Sequence, residues 1–173
     1  MQIYAFCLMD NHVHLIVKPD KKNSLAKALR VTHQRYALYL NKRLTEHGHC
    51  WQSRYYSCVV FGTHILKAIR YVENNPVRAG IVSVPWGYPW SSARAHFGKQ
   101  YKIISLADIR EYIKAPSWRK YLMVEDDKED IYYLRQSTLQ GKVYGPMEMI
   151  QDLQKRFNRR LLPRARGRPG KKL

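Results

Sequence analysis

A pair of histidines in an apolar run near the start of the chain most constrains its fold. Residues 11–16 read Asn-His-Val-His-Leu-Ile. Because successive side chains of a β-strand point to opposite faces, we expect His12 and His14 to lie side by side on one face. Two imidazoles placed in this way can bind one divalent metal ion. The alternative is a half-buried strand whose two histidines are simply hydrogen-bonded.

The hydrophobic pattern predicts an α+β fold. Residues 2–9 and 12–18 are predicted to form two strands joined by a tight turn at Asp10-Asn11, because both turn residues tolerate a left-handed backbone. The aromatic and β-branched run 51–61 predicts another strand. A first helix is predicted after Asn23 or Ser24, with an apolar stripe of Leu25, Ala28, Leu29, Tyr36, Tyr39 and Leu40. Further helices are predicted from Thr63 to Asn74, at 106–114, 118–122 and 131–136, and from Pro146 onward.

The charge of the chain points to nucleic acid. It carries 31 Lys and Arg against 13 Asp and Glu, a net charge of +18. The basic residues are spread over the body as well as the tail, and a phosphate backbone is the partner that such a field favours. The alternative is a basic surface that is only solvated.

Other features of the composition exclude whole classes of protein. No run of eighteen or more apolar residues is present, so we expect no membrane span. The N-terminal stretch lacks the basic leader and cleavage site of a signal peptide. Cys7, Cys50 and Cys58 show no CxxC spacing, so we expect a reduced, cytoplasmic protein.

A tyrosine on the predicted helix after Thr63 is a candidate nucleophile. Tyr71 and Asn75 stand four residues apart, and residues with this spacing share one helix face. A tyrosine hydroxyl can attack a phosphorus atom that a metal ion polarises. The amide oxygen of Asn75 would suit such an ion as a third ligand. The alternative for Tyr71 is a packing role at the edge of the core.

Residues 47–56 offer further candidates. Gln52 and Arg54 are predicted to contact DNA, and Trp51 is either a stacking platform or a core residue. Tyr55 and Tyr56 compete with Tyr71 as nucleophiles, although base stacking or packing suits their predicted strand better. The run His47-Gly48-His49-Cys50 suggests zinc, but a second cluster of ligands is missing from the sequence.

Four sequence blocks in order carry a family resemblance. They are Met9-Asp10-Asn11-His12-Val13-His14-Leu15, Trp51-Gln52-Ser53-Arg54-Tyr55, the run from Tyr71 to Gly80 that reads Tyr-Val-Glu-Asn-Asn-Pro-Val-Arg-Ala-Gly, and Trp90-Ser91-Ser92-Ala93. Together they resemble the signature blocks of REP-associated tyrosine transposases, which belong to the His-hydrophobic-His single-strand transposases. The resemblance covers residues 1 to about 100 closely.

The resemblance implies a ferredoxin-like antiparallel sheet with helices packed on it, and an enzyme that cuts and rejoins single-stranded or hairpin DNA. It implies that Tyr71 attacks the scissile phosphate to give a 5′-phosphotyrosine. His12, His14 and Asn75 would hold Mg²⁺ or Mn²⁺. Gln52, Arg54 and Arg78 are the DNA contacts expected in this region.

The chain also departs from the family pattern. Family members carry a further strand and helix before the strand that begins here at Gln2, and Ser53 stands where glycine is usual. We therefore expect an N-terminally truncated catalytic domain at 1–100, a helical extension at 101–162 and a basic tail at 163–173. The alternative function is a DNA-binding transposase remnant with impaired catalysis.

The tail has a signal of its own. Residues 164–169 read Arg-Ala-Arg-Gly-Arg-Pro and resemble the core of an AT-hook. Such a segment would place Arg166 and Arg168 in the narrow minor groove of an A·T-rich duplex. The alternative is a disordered basic tail that binds any phosphate backbone.

Overall fold

The computed structural model describes residues 1–45, 47–98, 104–109, 112 and 118–164. It has a mixed α+β fold, as the sequence predicts. Its elements in chain order are β1 (Gln2–Leu8), β2 (Val13–Lys18), α1 (Ser24–Leu44), β3 (Val59–Val60), α2 (His64–Glu73), α3 (Asn75–Arg78), 3-10 helices at Pro85–Gly87 and Ser92–Phe97, α4 (Trp118–Leu122), α5 (Lys128–Leu139), β4 (Val143–Tyr144) and α6 (Met147–Phe157).

The two N-terminal strands form the predicted antiparallel pair. In their register Cys7 lies opposite His14 and Leu8 opposite Val13. The turn between them is closed by the backbone N–H of Met9, which donates to the carbonyl of His12 over 2.9 Å. Within the described ranges this sheet has two strands.

Irregular segments cover the second edge of β1. The N–H of Leu8 donates to the Trp90 carbonyl over 2.8 Å, and the N–H of Phe6 donates to Ser92 Oγ over 3.1 Å. The carbonyl of Ile3 accepts from the Ala107 N–H over 2.7 Å. Backbone groups on both edges of β1 therefore have partners, which allows its central residues to be buried.

Helix α2 packs on this sheet and forms the core with it. Its residues Ala68, Ile69 and Val72 are buried because they recur at helical spacing on one side. The main cluster of buried apolar residues joins β1, α2, α4 and the segments between them: Tyr4, Ala5, Cys7, Ile69, Val72, Tyr88, Ile109, Trp118 and Leu122.

The strand predicted at 51–61 is wrong for most of its length. Only Val59–Val60 is strand, and it pairs in parallel with β4, which the sequence did not predict. Instead of entering a sheet, Trp51 packs on α1, where its ring stacks on His33 at 4.1 Å and its Nε1–H donates to the His33 carbonyl over 3.0 Å. The aromatic Trp51 therefore packs a loop against a helix instead of contributing to a sheet.

The helix predictions have mixed outcomes. Helices α2, α4, α5 and α6 occupy the predicted segments, while α1 forms as predicted but contains no buried residue. The predicted helix at 106–114 is wrong for residues 106–109, which have no helical structure; of its remaining residues the structure describes only residue 112, a turn.

Glu73 is a fully buried carboxylate at the end of α2. Its Oε1 accepts a hydrogen bond from Ser92 Oγ over 2.6 Å, and its Oε2 accepts one from Trp118 Nε1–H over 2.9 Å. His96 Nδ1 lies 2.6 Å from Oε1. A buried charge is tolerated only when polar groups surround it. Glu73 therefore ties α2 to the segment along β1 and to α4.

Replacing Glu73 should destabilise the whole fold. Glu73→Ala leaves the buried Trp118 Nε1–H without its acceptor and leaves Ser92 Oγ with only the longer contact to the Phe6 carbonyl, at 3.3 Å. We expect the free energy of unfolding to fall by about 3 kcal/mol. Chemical unfolding followed by circular dichroism measures this change. The exposed Glu125→Ala is the matched control, with an expected change within about 0.5 kcal/mol. Equal effects of the two variants would contradict the structural role of Glu73.

Candidate active site

The two N-terminal histidines lie against each other. Their Nε2 atoms are 3.0 Å apart and their rings meet edge to face, with centroids 4.7 Å apart. His12 Nδ1 lies 2.7 Å from the Asn11 side-chain oxygen, which can only accept, so Nδ1 carries a hydrogen. In the neutral His12 ring this leaves the Nε2 lone pair directed toward His14.

Helix α2 brings Tyr71 to the histidines. His14 shares its strand face with Ile16, which packs against the main core cluster. The half-buried ring of Tyr71 meets His14 edge to face, with centroids 5.7 Å apart. Residues that are 57 positions apart in sequence thus form one site because α2 packs on β2.

Arg78 links the other groups around Tyr71. Its guanidinium lies over the Tyr71 ring, 4.2 Å from the centroid, and also donates to the Tyr71 carbonyl. The second terminal nitrogen donates to Asp126 Oδ2 over 2.6 Å, and Arg70 Nε lies 3.3 Å from the other oxygen of the same carboxylate. Burial lowers the pKa of Arg78, while Asp126 opposes that shift. Arg78 is therefore half-buried and ion-paired.

Asn75 does not share one continuous helix with Tyr71. Helix α2 ends at Glu73, and Asn75 begins α3, because Pro76 has no N–H to continue the helical hydrogen bonds. The Asn75 side chain is buried, and its Oδ1 accepts from Arg78 over 3.0 Å. Its Nδ2 is buried without a hydrogen-bond partner among the described residues. Arg78, rather than a common helix face, connects Asn75 to Tyr71.

Sequence reasoning missed Arg135. This exposed residue of α5 donates from Nε to the Tyr71 hydroxyl over 3.1 Å. No motif surrounds it, and it lies 64 residues beyond Tyr71. The only signal in the sequence was indirect: the acidic run 125–130 before it has the charge needed to pair with the basic body.

The other predicted site residues are exposed or lie outside the described residues. Gln52, Arg54, Tyr55 and Tyr56 are exposed, and the last three line, with Ser53, a surface cavity of about 480 Å³. His47 and His49 are exposed as well. Arg166 and Arg168, with the rest of the predicted AT-hook except residue 164, lie outside the described residues.

Two features are absent from the described ranges. No group of three or more His, Cys, Asp or Glu residues there could hold a metal ion. No helix in those ranges is long and apolar enough to span a membrane.

Comparison with known proteins points in one direction. Residues 1–75 match the family model described as "Transposase IS200 like". This match supports a relationship between the chain and the transposase family. It spans both histidines, Tyr71 and Asn75, and it suggests DNA transposition with DNA as the partner. No curated protein matches the chain. No solved structure matches it either.

The surroundings of His14 favour its neutral form. Burial is the main cause that lowers its pKa to about 4, and His12, Arg78 and Arg135 add to the shift. The imidazole nitrogens of His14 are therefore uncharged at neutral pH, as binding of a metal ion requires.

The lowered pKa of His14 predicts how stability depends on pH. Between its unfolded value of 6.5 and its folded value of about 4, the unfolded chain binds a proton that the folded chain does not. Stability should therefore fall as the pH drops through this window, and His14→Gln should remove part of the fall.

Urea unfolding at about pH 7.5 and about pH 5, with a chelator present, measures this difference. The exposed His49→Gln is the matched control and should lose as much stability as the unaltered chain. The same loss in His14→Gln would show that His14 is not shielded in the folded state.

Proposed function

We propose that the chain is a REP-associated tyrosine transposase that cuts and rejoins single-stranded or hairpin DNA with Tyr71 as the nucleophile. The observation that carries the proposal is the edge-to-face contact of Tyr71 with His14, whose Nε2 lies 3.0 Å from that of His12. The proposed nucleophile and two proposed metal ligands come from distant parts of the sequence and are in contact in the structure. The family match over residues 1–75 contains all three.

The reaction is an exchange of one phosphate ester for another. A lone pair of the Tyr71 hydroxyl oxygen forms a bond to the scissile phosphorus, and the bond between phosphorus and the 3′ oxygen breaks. The phenol proton passes to solvent, and the leaving 3′ oxygen takes up a proton to become a hydroxyl. Because the 5′-phosphotyrosine retains the ester linkage, attack by a 3′-hydroxyl rejoins DNA without a nucleotide cofactor.

The residues present suit a divalent metal ion in part. Two imidazole nitrogens 3.0 Å apart have the separation of neighbouring ligands on one ion, and Asn11 orients the His12 ring. Asn75 Oδ1 already accepts from Arg78 and has one lone pair left for an ion. A bound Mg²⁺ or Mn²⁺ would polarise the phosphoryl oxygens at Tyr71.

The surface near residues 52–56 suits single-stranded DNA. Arg54 offers a charge for a phosphate, while the exposed rings of Tyr55 and Tyr56 offer faces for base stacking. Arg78 is ion-paired with Asp126 and lies over the Tyr71 ring. We therefore assign to it a role in maintaining the geometry of the site rather than in binding the DNA backbone.

The proposal predicts a covalent adduct between the chain and DNA. With a labelled hairpin oligonucleotide and Mg²⁺ or Mn²⁺, a denaturing gel should show a labelled protein band. Tyr71→Phe should abolish this band and retain DNA binding, because only the nucleophilic oxygen is lost. Chelation or His14→Ala should also reduce it at least about tenfold.

Tyr55→Phe and Tyr56→Phe are the matched controls and should still form the adduct. An adduct that survives in Tyr71→Phe would overturn the assignment of the nucleophile. Tight DNA binding by the unaltered chain without any adduct would favour a transposase remnant that binds DNA without cutting it.

A further inference from the structure

Arg135 occupies a position that the proposed reaction does not yet use. Its guanidinium donates from Nε to the Tyr71 hydroxyl oxygen, which is the atom proposed to attack phosphorus. It also lies 5.8 Å from the centroid of the Tyr71 ring. It comes from α5, well beyond the residues that match the transposase family.

Helix α5 is held firmly enough to place this side chain. Leu134, next to Arg135 in sequence, is buried in a second apolar cluster with Ala68 of α2 and Tyr144 of β4. Asp130 lies 3.3 Å from Lys67 Nζ and accepts from the Tyr144 hydroxyl over 2.8 Å. The base of Arg135 is therefore fixed to the helix that carries Tyr71.

The donors of Arg135 fit a phosphate that reaches Tyr71. Within the part of the chain that the structure describes, the Arg135 side chain donates its hydrogen bond from Nε, to the Tyr71 hydroxyl. The two terminal amino groups of a guanidinium lie in the same plane and can bind two phosphoryl oxygens. A phosphorus bonded to the Tyr71 oxygen would carry its free oxygens close to these donors.

We propose that Arg135 is a further catalytic residue, which holds the Tyr71 hydroxyl for attack and then binds the phosphoryl oxygens of the 5′-phosphotyrosine. This inference rests on the proposed function. It assigns to the C-terminal helices a direct part in the proposed reaction, although the family match ends at residue 75. Arg78 differs from Arg135 because an ion pair with Asp126 already fixes its guanidinium over the Tyr71 ring.

The test compares single-turnover rates of adduct formation at saturating hairpin DNA. Arg135→Ala should slow the reaction at least about tenfold with a smaller change in DNA affinity, because the group acts mainly after DNA has bound. Arg135→Lys keeps the positive charge but loses the paired terminal amino groups of the guanidinium. Its rate should lie between those of the unaltered chain and Arg135→Ala. Free guanidinium should restore part of the rate to Arg135→Ala.

Lys128→Ala, on the same helix, removes one positive charge away from Tyr71 and should keep the full rate. Thermal unfolding of each variant reports any loss of structure. The inference is overturned if neither Arg135→Lys nor free guanidinium restores the rate that Arg135→Ala loses, and if Arg135→Ala also unfolds at a lower temperature. The role of Arg135 would then be structural.

The two proposals fail in different ways. An adduct that Tyr71→Phe abolishes, formed equally fast by Arg135→Ala, would overturn the role of Arg135 alone. No adduct with the unaltered chain would overturn the proposed function and this inference with it.

Discussion

The site depends on the hydrogen bonds that the buried carboxylate of Glu73 accepts. Glu73 and Tyr71 stand two residues apart on α2, about 200° around the helix, so they face nearly opposite ways. Ser92, Trp118 and His96 surround the carboxylate on one side of the helix. With that side fixed, the opposite side presents Tyr71 to His14.

A second constraint is electrostatic and joins the C-terminal helices to the same helix. The chain is strongly basic, and its acidic run at 125–130 pairs with basic residues of α2 and α3. Asp126 lies between Arg70 and Arg78, and Asp130 lies beside Lys67. These partly shielded ion pairs hold α5 where Arg135 reaches Tyr71. Residues outside the family match thus complete the surroundings of the tyrosine.

The sequence predicts what depends on local pattern. Alternation predicts β1 and β2, and with them the common face of His12 and His14; helical spacing predicts α2 and the burial of Ile69 and Val72. Outside Val59–Val60, the predicted strand at 51–61 is wrong, because Trp51 packs on α1 and Tyr55 and Tyr56 remain exposed. Neither β4 nor the contact of Arg135 with Tyr71 has a local signal, because each depends on residues more than sixty positions away.

The most direct test of the account is the identity of the residue that becomes linked to DNA. Trypsin cleaves after Arg70 and Arg78, which releases Tyr71 as the only tyrosine of an eight-residue peptide. Mass spectrometry of the nuclease-treated adduct should find the remaining nucleotide phosphate on this peptide. A phosphate on the peptide that contains Tyr55 and Tyr56, with residues 71–78 unmodified, would contradict the claim that α2 delivers the nucleophile.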